Sequence, residues 1–255
     1  MAAMAKRGCL VALGIVGAGL AVLIGLAVTS SSSVSATWRY RITVVVDTPE
    51  GPVSGSAVRE LSVRSGGRYG PPEATVSAEI RGEAVVVDLE ARGLLFALIS
   101  DISDSAFYQA FPVPDGHGAS TPEGIWYYKW LEPGHRATLD PDEYPGYPRM
   151  VTFDDLSDPM SVRLVYGLPD RKRTDVPTRT DAFEDVFGPG VHVREVILET
   201  TSDPVTWQVH GILPWLDEYY SRMFDGNRFH DLTTDTPLAS SLSSGAFSTR
   251  GPSNN

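Results

Sequence analysis

The chain has 255 residues, 32 of them acidic and 21 basic, with five histidines and a single cysteine, and a net charge of −11 at pH 7. An acidic surface repels phosphate backbones, which argues against nucleic acid as a partner. A lone Cys9 can form neither an internal disulfide nor a thiolate metal cage. The expectation is a fold that stands on its hydrophobic core, with no cofactor and no metal.

Residues 1–7 form a tip ending in Lys6-Arg7, and residues 8–28 follow without a charge. As a helix at ~1.5 Å per residue, that run extends about 31 Å, enough to cross a hydrocarbon core of roughly 30 Å. The basic pair is retained on the cytoplasmic side, so the chain after Thr29 is expected outside the cytoplasm, with the run as a single-pass anchor in a bacterial inner membrane. Val34-Ser35-Ala36 offers small residues to a signal peptidase. The apolar run, however, exceeds the roughly 7–15 residues usual for a cleaved signal, which favours an uncleaved anchor. Residues 29–37 are a Ser-rich spacer, and the exported part carries 19 basic residues against 32 acidic ones, a balance of −13.

From Trp38 the chain alternates. Trp38, Tyr40, Ile42, Val44 and Val46 fall on one side and Arg39, Arg41 and Thr43 on the other, as in a half-buried strand. Asp47-Thr48-Pro49-Glu50-Gly51 is a turn leading to a second strand over Val53 to Val63. Ala74 to Ile80 and Glu83 to Leu89, separated by Gly82, read as a second hairpin, and Leu94 to Ile99 as a strand buried on both faces. Further strands are expected at Met150 to Phe153, Val162 to Tyr166, Val191 to Leu198 and Val205 to Val209. Two short helices are expected, one over Phe183 to Phe187 with Asp181 and Glu184 as a capping box, the other from Pro214 to Met223. The fold class is therefore mainly β: an N-terminal transmembrane helix followed by an antiparallel, sandwich-like extracytoplasmic domain over residues 38–232. The stretch 112–148 offers a place for a sub-boundary, and residues 233–255, rich in Ser, Thr, Gly, Pro and Asn, read as a flexible tail.

The stretch 112–148 holds seven prolines, five glycines and an aromatic island, Ile125-Trp126-Tyr127-Tyr128-Lys129-Trp130-Leu131. Read as a strand, the island sets Trp126, Tyr128 and Trp130 on one face, able either to stack on a sugar or peptide or to fill the core; the core is the favoured reading. An aromatic belt at the lipid headgroups is a further option, weakened by the sequence distance from the anchor. Asp140, Asp142 and Glu143 lack the regular spacing of a calcium loop. The five histidines show no zinc spacing, and His210, on a polar strand face with Thr206 and Gln208, reads as solvated. No G-x-S-x-G elbow or phosphate-cradling glycine loop is present.

Trp38-Arg39-Tyr40-Arg41-Ile42, Val151-Thr152-Phe153-Asp154-Asp155, Phe187-Gly188-Pro189-Gly190 and Leu213-Pro214-Trp215-Leu216 together resemble a family of uncharacterised bacterial membrane-anchored proteins. The resemblance implies the membrane address and a single inherited unit, and it carries no functional residue over. Two functions follow as expectations: a membrane-anchored extracytoplasmic binding or accessory module for a protein or envelope polymer, or a hydrolase acting on envelope polymers.

Overall fold

A computed structural model describes residues 33–65, 76–99, 103–168, 179–231 and 233–251. The expected span at 8–28 lies outside the described residues, among which no helix is long and apolar enough to cross a membrane. Two five-stranded antiparallel sheets organise the rest. The strands are β1 (Val34–Thr48), β2 (Gly51–Ser65), β3 (Val76–Arg81), β4 (Val85–Asp88), β5 (Leu94–Ala97), β6 (Arg136–Thr138), β7 (Met150–Phe153), β8 (Val162–Gly167), β9 (Thr180–Asp181) and β10 (His192–Thr200). The first sheet runs β3-β2-β1-β10-β6 and the second β4-β5-β7-β8-β9. Short helices α1 (Ser103–Ala110), α2 (Pro122–Lys129), α3 (Phe183–Phe187), α4 (Val209–Ile212) and α5 (Pro237–Ser241) decorate them.

The long β1–β2 hairpin follows directly from the alternation. Tyr40, Ile42, Val44 and Val46 are buried between the sheets, while Arg39 and Arg41 point outward to Glu60 and Asp203. The turn closes where expected, with the Thr48 hydroxyl donating to the Gly51 carbonyl at 2.7 Å.

The second expected hairpin does not form, because β3 pairs with β2 and β4 pairs with β5. Gly82 does turn the chain, but from one sheet to the other. A Cβ there would sit 2.9 Å from Cγ of Arg59, so the corner accepts only glycine without displacement. Alternation identifies both strands but is silent on which partner each takes.

The second sheet is buried on both faces, which explains the unbroken apolar run at Leu94. Val85, Val87, Leu95, Ala97, Met150 and Val165 face the first sheet. Phe96, Leu98, Val151 and Phe153 face a second core. That second core is closed by Val209, Leu213, Leu216 and Phe224, together with Ala239, Leu242 and Phe247.

The expected flexible tail is thereby corrected over residues 233–251. It forms α5 and a 3-10 turn at Ser244–Ala246, and its backbone hydrogen-bonds to Ala84, Ile99 and Gly82. Three apolar anchors and a set of main-chain bonds hold a segment whose composition is otherwise that of a loop. Because one sheet serves both cores, the stretch 112–148 does not divide two separate ones.

Two further expectations change. Residues 201–208 are not a strand: the chain leaves Arg39 beside Thr201 and crosses to Val58, which exchanges hydrogen bonds with Thr206. The expected Pro214–Met223 helix is a 3-10 turn over Pro214–Tyr219 only. The α3 helix is present, but without its capping box. Ala182 occupies the cap position, and Glu184 instead accepts from the Gly190 amide at 2.8 Å.

Candidate functional site: an aromatic ridge and a buried histidine network

The aromatic island is helix α2, not a strand. Thr121 caps it by accepting from the Gly124 amide at 3.2 Å, Pro122 opens it, Glu123 lies in its first turn and Lys129 in its last. Thr121-Pro122-Glu123 is the start signal a strand reading overlooks, since a run of aromatic residues favours strand by residue type alone. Gly124 is required by close approach, because a Cβ there would lie 2.4 Å from the Gly118 carbonyl oxygen.

Helical spacing separates the three residues expected on one face. Ile125 and Tyr128 point inward, with Tyr128 only 1% exposed. Its hydroxyl donates to the Phe111 carbonyl at 2.8 Å, and its ring lies 5.1 Å from Trp38 and 5.3 Å from Phe107. Burial pushes the Tyr128 phenol well above the ordinary tyrosine range. Trp126 and Trp130 point outward, 44% and 71% exposed. Lys129 joins them at the i+3 and i−1 positions, its Nζ 4.5 Å from the Trp126 ring centre and 5.7 Å from that of Trp130. The core reading therefore holds for Tyr128 and fails for both tryptophans, which form a solvent-facing ridge with a cation between their rings.

A second constellation assembles from residues far apart in sequence. Nε2 of His210 lies 3.0 Å from the Tyr220 hydroxyl and 3.1 Å from Oγ of Ser248, and its Nδ1 lies 3.3 Å from Oδ1 of Asp217. His210 is thus mostly enclosed rather than solvated. Serine, histidine and aspartate in that order of contact are the parts of a nucleophilic triad. The surroundings differ from a working one. Ser248 is fully buried, its Oγ also accepts from the Arg250 amide at 3.2 Å, and Tyr220 approaches the same histidine nitrogen. A single Nε2 lone pair accepts from one hydroxyl at a time. Closed in this way, the network ties the C-terminal segment to the chain leaving the first sheet.

The adjoining buried charges have the same tying role. Arg59, 1% exposed, donates from Nε to the Glu83 carbonyl at 2.9 Å and from Nη2 towards the Ala97 carbonyl at 3.4 Å. Burial pulls its guanidinium below the ordinary arginine value, opposed by Tyr40 and Glu83. The Glu83 carboxylate accepts from the Val209 amide at 2.8 Å, which joins the corner between the sheets to α4.

Asp140, Asp142 and Glu143 do not converge on a common point. Asp140 accepts from the Asp142 amide in a local turn, and Glu143 accepts from Gln109. Among the described residues, no three acidic, histidine or cysteine side chains are grouped to hold a metal ion. A cleft of about 570 Å³ beside this loop is lined by Tyr144, Tyr147, Arg149 and Arg179. No protein-family model, curated protein or solved structure matches the chain.

Proposed function

We propose that the protein is a single-pass, membrane-anchored module of a bacterial inner membrane, with its amino terminus in the cytoplasm and its β domain outside, and that the α2 ridge is its contact surface. The uncharged run at 8–28 behind Lys6-Arg7, together with the resemblance to membrane-anchored proteins, supports the address. The observation that carries the contact surface is the division within α2, where Tyr128 anchors the helix and Trp126, Lys129 and Trp130 stand free of it. Exposed tryptophan is costly to leave in water, and it is the residue type most enriched at binding hot spots. A photo-crosslinking amino acid at position 130 should give adducts in cells to whatever the ridge rests on, lipid included. The same probe at Glu50, on the distant hairpin, should not. Equal yields at the two positions would refute the ridge as contact surface, and complete extraction of the full chain by carbonate would refute the anchor.

The geometry at His210 favours a second reading, a serine hydrolase using Ser248. It requires the buried Ser248 to open to substrate. A fluorophosphonate probe that labels wild type but neither Ser248→Ala nor His210→Ala would establish it, and absence of labelling would dismiss it.

A further inference from the structure

We infer that the α2 ridge seats on the headgroup layer of the bilayer that residues 8–28 cross, so that the module lies against its own membrane instead of standing off it; this rests on the anchored reading above. Sequence distance separates α2 from the anchor by about a hundred residues, but the fold removes that separation. Helix α2 packs on β1, with the Tyr128 ring tilted against that of Trp38 at 5.1 Å between centres. Lys129 and Leu131 line a shallow cleft together with Thr37 and Trp38.

β1 is also the first strand after the spacer. Residues 29–33 can separate Val34 from Val28, the end of the apolar run, by at most about 22 Å, even fully extended. From Val34 to Thr37 adds about 10 Å of strand. Thr37, which shares that cleft with Lys129 of the ridge, is therefore tethered within about 32 Å of the hydrocarbon edge, whereas the β1–β2 hairpin lies roughly 46 Å further along β1 from Val34.

The chemistry fits that location. Tryptophan rings, apolar in body with an N–H at one edge, prefer the interfacial region, and a lysine stem beside them can keep its ammonium in the wet layer. Glu123 and Glu132 are exposed near the ridge, and the exported part is acidic overall. Attraction to anionic lipid is therefore not the driving force, and the contact is carried by the rings. It should persist in high salt, unlike a polybasic contact.

The test uses the full chain in nanodiscs of phosphatidylcholine brominated on its acyl chains near the headgroup, where bromine quenches nearby tryptophan emission. Wild type should be quenched in low and high salt alike. Trp126→Phe/Trp130→Phe should lose most of that quenching while retaining Trp38, Trp207 and Trp215 as reporters, and its melting should match wild type because both replaced rings are exposed. Equal quenching of wild type and the double variant would overturn the inference by placing other tryptophans at the lipid. A chain that floats with vesicles after carbonate treatment but shows no quenching would overturn the ridge contact and leave the anchor standing. A chain that does not float would remove both.

Discussion

Two aromatic clusters in this molecule are built from similar residues and put to different use. Around the second core, Phe153, Trp215, Tyr219, Phe224 and Phe247 meet edge to face or tilted at 5.1–6.3 Å between ring centres, and Phe224 and Phe247 are wholly enclosed. On α2, Tyr128 is taken into such a cluster with Tyr127 half-buried beside it, while Trp126 and Trp130, two residues either way from Tyr128, stay outside. Enclosure ties the first group to stability. Separation of anchor from ridge on a two-turn helix frees the second group for contact without loss of the fold.

Removing the enclosed layer should be the most damaging change. Truncation after residue 232 strips Ala239, Leu242 and Phe247 from the second core, and it should abolish the cooperative melting transition; a truncated chain that melts like wild type would show that the layer is dispensable. Phe224→Ala should cost about 3–5 kcal/mol, the range for deleting a buried aromatic ring, measured by denaturant unfolding. Tyr128→Phe keeps the ring but leaves the Phe111 carbonyl without its donor, for an expected loss of about 1–3 kcal/mol. Trp126→Ala and Trp130→Ala should each change stability by no more than about 0.5 kcal/mol, and a loss comparable to that of Tyr128→Phe would erase the contrast between anchor and ridge.

The smallest effect concerns acid. In Asp225, desolvation raises the carboxyl but is outweighed by the Asn227 amide and side chain, and in Asp231 the Thr233 amide and hydroxyl hold it below its ordinary value. A depressed folded-state value means that the unfolded chain binds the proton first as pH falls. The contribution is thus present above the unfolded value and is lost as pH drops below about 4 through the folded one. Asp231→Asn should flatten the fall in melting temperature between neutral and acid pH, and an unchanged slope would show that these turns do not matter to the layer.

Much of the sandwich was legible in sequence because strand alternation is a local signal. The β1–β2 hairpin announces itself by which residues repeat every second position, and the doubly buried β5, with β7, β8 and β10, by short apolar runs. Sheet membership did not, since the side chains around Gly82 read the same whether the chain folds back or crosses over. The C-terminal layer escaped because three apolar residues and several main-chain hydrogen bonds suffice to seat it, leaving a loop-like composition. The ridge was visible as a group of residues but placed on the wrong element, where β-favouring rings outweighed the helix start at Thr121-Pro122-Glu123. His210, Asp217 and Ser248 carry no common motif, so only the fold brings them together.

The division of α2 into anchor and ridge is tested most directly by hydroxyl-radical footprinting of the full chain in detergent. Trp126 and Trp130 should be modified rapidly and Tyr128 protected until the domain unfolds. Shared protection of all three rings, or modification of Tyr128 ahead of the tryptophans, would contradict the helical arrangement and with it the contact surface built on it.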